Sequence, residues 1–130
     1  MSIDEIRNDI NFFDNQIEKF EYLIELGKDN PGLSENDKND QNLIIGCASK
    51  SWLMVESNND NYSLKVDSEA HIVRGLLSIL QIAVNEKSKD QILNLDGKEI
   101  LKYIGIGNNI TSQRMNGFIS ALNKLKKNII

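Results

Sequence analysis

The hydrophobic period changes twice along this chain. Between residues 3 and 24, apolar side chains recur at intervals of three and four, at Ile3, Ile6, Ile10, Phe13, Ile17, Phe20 and Ile24. That spacing draws one face of helical structure. Across "SWLMVES" (51–57) and "YSLKV" (62–66) the pattern shortens to alternation. Tyr62, Leu64 and Val66 then share one side of a strand, with Ser63 and Lys65 on the other. Helical spacing returns at Ile72, Val73, Leu76, Leu80 and Ala83, and again at Met115, Phe118, Leu122 and Leu125. Helices, then a small sheet, then helices reads as an α+β fold. At 130 residues the chain is most simply one domain, 1–130, which buries about two-thirds of its unfolded surface.

Punctuation residues set the expected boundaries. Ser2 and Glu5 have capping-box spacing and Asp14-Asn15 can cap a second helix, predicting helices over about 2–12 and 15–27. Gly27 and Asn30-Pro31-Gly32 end the second. "NLIIG" (42–46) reads as a short strand, and the turn "NNDN" (58–61) joins two longer ones. The expected sheet is therefore three-stranded and antiparallel, with the first short strand as its third member. Asp67 or Ser68 is expected to cap the next helix, with Glu69 in its first turn where the dipole favours an acid. Gly75 lies inside that helix, where glycine is about 1 kcal/mol worse than alanine. Close approach of another backbone is the usual reason. Short helices are expected over about 88–104, and a last one from Thr111 or Ser112 with Lys124, Lys126 and Lys127 near its end.

Charge and cysteine usage remove several function classes. Residues 1–40 carry eleven acids and four bases, a net of −7, whereas residues 41–130 net +3. An acidic helical face is expected near the start, unlike the basic footprint of a nucleic-acid binder. No long uncharged apolar run exists, and "MSIDEIRND" is unlike a secretory signal. No membrane partner and a reducing cytoplasm are the expectations. One Cys and one His cannot supply the three or four soft ligands of a zinc or iron–sulfur site, so no metal is expected. "GIGNN" (105–109) lacks the lysine of a P-loop and the third glycine of a dinucleotide fingerprint, and reads as a helix stop.

The one cysteine sits in "IGCASKSW" (45–52). Cys47 is either a small hydrophobe in the core or a thiol held on a loop. Small and polar neighbours make poor core walls, and Lys50, Arg74 and Arg114 are the cations available to favour a thiolate. A Cys–His hydrolase with His71 as base is the obvious enzyme reading, though a lone pair of this kind is also the composition of an ordinary domain.

Four segments, taken in order, resemble the SufE family of sulfur acceptors, partners of cysteine desulfurases in iron–sulfur cluster assembly. "YLIELGKDNPGL" (22–33) resembles its Leu-Gly-Lys…Pro helix end, and "GCASKSW" its Gly-Cys-Gln-Ser-x-Val-Trp signature. "DSEAHIVRGLLSIL" (67–80) and "TSQRMNGF" (111–118) resemble its Asp-Ser-Asp-Ala…Gly-Leu and Ser-x-Arg-x-x-Gly-Leu segments. The resemblance implies a SufE/IscU-like fold and a role for Cys47 as acceptor of persulfide sulfur from a desulfurase. The sulfur would then pass to a downstream iron–sulfur scaffold. No cofactor is implied, since pyridoxal phosphate belongs to the partner. In the family the cysteine loop is sheltered and swings outward, which Gly46 and Ala48 would ease. Glu69 and Arg114 match positions expected to bracket the loop or meet the desulfurase, with Ser49, His71 and Arg74 as further supporting positions. Ala48 replaces the usual glutamine, and Ser51 the usual valine, which weakens strand character there.

Other classes predict different things. A cluster scaffold needs several ligating cysteines. A lone-thiol enzyme needs His71, and an interaction module would have an inert Cys47.

Overall fold

A computed structural model describes residues 1–130. The chain opens with α1 (Ile3–Phe12) and α2 (Gln16–Lys28). The Ser2 side chain accepts from the Glu5 N–H and the Asn15 side chain from the Glu18 N–H, so each helix start is capped by its expected residue. Their apolar stripe is only partly inward. Ile6 and Ile10 are fully buried, but Ile17 is 71% exposed and Leu23 and Gly27 face the core instead. The break at Phe13–Asn15 rotates α2 relative to α1, so one face does not continue through both.

The expected hairpin forms from β1 (Ser51–Asn58) and β2 (Asn61–Ser68), paired antiparallel from Ser51–Ser68 to Asn58–Asn61. Asn59 takes the left-handed conformation at its tip, φ 57°, which asparagine tolerates. The third strand is β3 (Lys87–Ser88), against β2, giving the order β1-β2-β3. Residues 42–46 are thus not the third strand. They lie along the free edge of β1 with a single bridge, Leu43 to Trp52, because Gly46 at φ 104° turns the chain away.

Next comes α3 (His71–Val84), which starts later than expected. Asp67 and Ser68 complete β2, Ala70 is the N-cap without a side-chain bond, and no acid lies in the first turn. Glu69 therefore precedes the helix. Asp67 is occupied elsewhere: it is buried, pairs with Arg74 at 3.1 Å and Lys38 at 3.6 Å, and accepts from the Leu33 N–H at 2.9 Å. Arg74 also donates to the Asn30 carbonyl. This charge cluster ties residues 30–33 to β2 and α3.

Gly75 does mark a backbone crossing. A Cβ there would stand 2.1 Å from the Leu23 carbonyl oxygen, and one at Gly27 2.8 Å from the Gly75 nitrogen. Only glycine on both helices permits α2 and α3 to approach this closely. The chain ends with α4 (Lys89–Leu93), α5 (Gly97–Ile104) and α6 (Ser112–Ile129). Gly105 stops α5 in the left-handed conformation, and the Thr111 side chain caps α6. One contiguous apolar cluster of 21 buried residues joins α1, α2, the hairpin and α3 to α6.

Candidate functional site

Residues 45–50 form a small loop with a closed neck. The Ile44 N–H donates to the Ser51 carbonyl at 2.8 Å, and the Leu53 N–H to the Asn42 carbonyl at 2.9 Å. Two buried hydroxyls hold the far arm. Ser51 Oγ donates to the Ser49 carbonyl at 3.1 Å and lies 2.8 Å from Ser68 Oγ. The Glu69 N–H donates to the Lys50 carbonyl at 3.0 Å. Ser51, expected to weaken the strand, instead begins β1 fully buried with its hydroxyl partnered.

Helix α6 is the floor under the loop. Cys47 Sγ donates to the Gly117 carbonyl at 3.6 Å. A Cβ at Gly117 would lie 3.1 Å from that sulfur, and one at Gly46 2.5 Å from Ser120 Oγ. Absence of side chains at both positions lets the loop lie flat on the helix. Gly117 is a site residue to which the sequence reading gives no role, although it is the glycine of the Ser-x-Arg-x-x-Gly-Leu match and lies in a helix interior, the same signal that marks Gly75.

Cys47 is half-buried at the wall of a cleft of about 400 Å³. Ile24, Ile72, Leu76 and Phe118 give the cleft an apolar lining, and Ala48, Ser49, His71 and Arg114 also face it. The Arg114 guanidinium stands 5.9 Å over the Phe20 ring, an arrangement that fixes a cation at an apolar edge. Burial pushes the Cys47 thiol above its ordinary range, and the Ser51 hydroxyl pulls it down by less. Desolvation penalises the thiolate, so the resting sulfur is held mainly as the thiol.

The expected site residues thus divide. Ser49, His71 and Arg114 share the cleft with Cys47, and Gly46 shapes the loop beneath it. Glu69 is exposed beside the neck, outside the cleft lining. Arg74 is turned to Asp67 and Asn30. His71 is exposed, and no hydrogen bond joins it to Cys47. A catalytic Cys–His pair lowers the thiol's pKa, opposite to the direction here. No helix is long and apolar enough to cross a membrane.

Comparison with known proteins gives the family and the fold. The profile of the family described as "SufE: Fe-S metabolism associated domain" matches residues 4–129. The chain is similar to an uncharacterized SufE-like protein of Rhizobium etli, 38% identical over 97% of this chain and 88% of that one. It is also similar to an uncharacterized SufE-like protein of Rhizobium meliloti, 34% identical over 96% and 92%. Among solved structures, a hypothetical protein from Thermus thermophilus shares the fold. Its TM-score is 0.77 over 99% of this chain and 96% of that one, at 14% identity.

Proposed function

The chain belongs to the SufE family of Fe–S metabolism domains, and from that membership we propose that Cys47 is a sulfur acceptor. It takes the outer sulfur of a persulfide on a cysteine desulfurase, stimulates that enzyme by clearing its cysteine, and relays the sulfur to an iron–sulfur scaffold. The observation that carries the reading is the setting of the chain's one thiol, half-buried on a neck-closed loop beside an apolar cleft.

The chemistry needs one thiol and no resident cofactor. The Cys47 thiolate attacks the outer sulfur of the donor persulfide, a new S–S bond forms, and the donor's S–S bond breaks. The donor cysteine leaves as a thiolate, so nothing is oxidised or reduced overall. Pyridoxal phosphate serves the donor enzyme. At rest, burial suppresses the thiolate and with it adventitious oxidation. Lifting the loop off α6 restores water to the sulfur and lowers its pKa toward the ordinary thiol range. Arg114, which lines the same cleft, is the cation we assign to the resulting anion. The accessory role suits a reducing compartment, where a single thiol persists.

The test is an intact-mass measurement after incubation with a desulfurase, pyridoxal phosphate and cysteine. A reducible gain of one sulfur, absent in Cys47→Ser, is the expected result. No gain with any of several desulfurases sinks the reading.

A further inference from the structure

The two segments that carry and floor the Cys47 loop bear only positive charge, while the acid Glu69 stands beside the loop's neck. Residues 41–50 and 112–130 together hold Lys50, Arg114, Lys124, Lys126 and Lys127, and no Asp or Glu. These two segments pack on each other: Gly46 abuts Ser120, Cys47 abuts Gly117, and Lys124 Nζ donates to the Gln41 carbonyl at 3.0 Å. Lys126 turns away to the Leu95 carbonyl at 2.5 Å. Lys124 and Lys127 instead border a shallow depression of about 430 Å³ with Leu43 and Ile45. Ile45 is 79% exposed, an apolar side chain in a cationic frame two residues from the thiol.

We propose that Ile45, Lys124 and Lys127 form a docking surface for a protein persulfide donor whose own reactive sulfur lies in an apolar patch ringed by carboxylates. The proposal rests on the sulfur-acceptor reading of Cys47 and adds to it the chemistry of the partner's face. Transfer requires sulfur–sulfur contact, and two residues of chain reach no further than about 7 Å. An interface of ordinary size buries roughly 800 Å² on each side, a patch extending about 16 Å from its centre. An interface of that size centred on Cys47 therefore has Ile45 within its radius. Apolar area at that place supplies the desolvated centre of an interface, and the flanking lysines steer an acidic surface toward it. Two other occupants match the charge but fit the site less well. A nucleic acid would want exposed aromatic rings here for stacking, and the depression has none. A second copy of this chain could offer its acidic residues 1–40, but its thiol would then meet no persulfide.

The experiment uses a desulfurase that loads Cys47 in the mass assay, in single turnover, at about 50 and 500 mM salt, where the screening length falls severalfold. The wild-type loading rate is expected to drop about tenfold between these conditions. Lys127→Glu should slow loading about tenfold at low salt and flatten the salt response. Asn123→Lys, which adds a charge on the same border, should speed it, and Ile45→Ser should slow it at both salts. With iodoacetamide, an uncharged small reagent, all three variants should alkylate Cys47 at the wild-type rate, which shows that fold and thiol are intact. A salt-independent wild-type rate overturns the proposal, as do variants that match wild type with the desulfurase. Salt-sensitive self-association lost in Lys127→Glu also overturns it, in favour of a second copy. If no desulfurase loads Cys47, the sulfur-acceptor reading falls and the docking surface with it. Loading that ignores Ile45 and the lysines overturns the docking surface alone.

Discussion

Replacing Gly117 by alanine should loosen the Cys47 loop while leaving the fold standing. The new methyl would lie 3.1 Å from Cys47 Sγ, a few tenths of an ångström inside ordinary contact. Helix α6 is held by a long buried face that includes Phe118, Leu122 and Leu125, so the thiol yields rather than the helix. Overpacking of this size costs about 1 kcal/mol, the low end of its usual range. The backbone gain of alanine over glycine within a helix is also about 1 kcal/mol, so overall stability should change little. The closed loop alone carries the loss, and about 1 kcal/mol raises its open fraction about fivefold. The assay is the rate of iodoacetamide alkylation as a function of pH, beside a urea melt. In wild type the rate should rise at higher pH than in the urea-unfolded chain, because burial raises the folded thiol's pKa. The linkage has a definite sign. A raised folded pKa favours the closed loop fully below the free thiol's value of about 8.5, and that advantage is lost as pH rises through the folded value. Gly117→Ala should react about fivefold faster near neutrality, with its pH midpoint shifted down. An alkylation rate at or below wild type with an unchanged melt would refute the idea that α6 shelters the sulfur.

Three further outcomes follow from other contacts. Ser51→Ala removes the hydroxyl that lowers the Cys47 pKa, so its alkylation midpoint should move to higher pH; an unmoved midpoint would mean the hydroxyl serves only Ser49 and Ser68. Gly75→Ala puts a Cβ 2.1 Å from a main-chain oxygen of Leu23, which no side-chain rotation can relieve. About 3 kcal/mol of lost stability in a urea melt is expected, beyond the roughly 1 kcal/mol that alanine returns to the helix. Asp67→Asn leaves Arg74 and Lys38 without their buried carboxylate. Since both cations keep some water contact, the loss should be about 2 kcal/mol rather than the 3–5 of a fully buried pair; a melt within about 0.5 kcal/mol of wild type would show the cluster to be neutral.

Much of this architecture was legible in local pattern. Helix starts at Ser2, Asn15 and Thr111, the stop at Gly105 and the hairpin between Asn58 and Asn61 depend on bonds that span three or four residues. Such bonds are written in neighbouring side chains. The errors arose where a distant partner claimed a residue. Asp67 and Ser68 look like helix caps, yet Arg74, Lys38 and Ser51 hold them in the strand end. Residues 42–46 look like a strand, but only two main-chain bonds reach β1 before Gly46 turns the backbone. The third strand is two residues long, too short for any alternation to register.

At the site, residue order was enough to show that one thiol exists, that it falls between strand-like segments, and that its neighbours are small and polar. The order of its four motifs also carried the family. How that thiol is held depends on packing between distant segments. That packing set Cys47 on Gly117 across 70 residues of chain, placed Arg114 in the same cleft, and sent Arg74 to Asp67 instead. It also turned Ser51 from a weak strand residue into the buried clasp of the loop. The physical reason is desolvation: whether a cysteine is a thiol or a thiolate depends on how much water its neighbours exclude, and those neighbours come from helices far away in sequence.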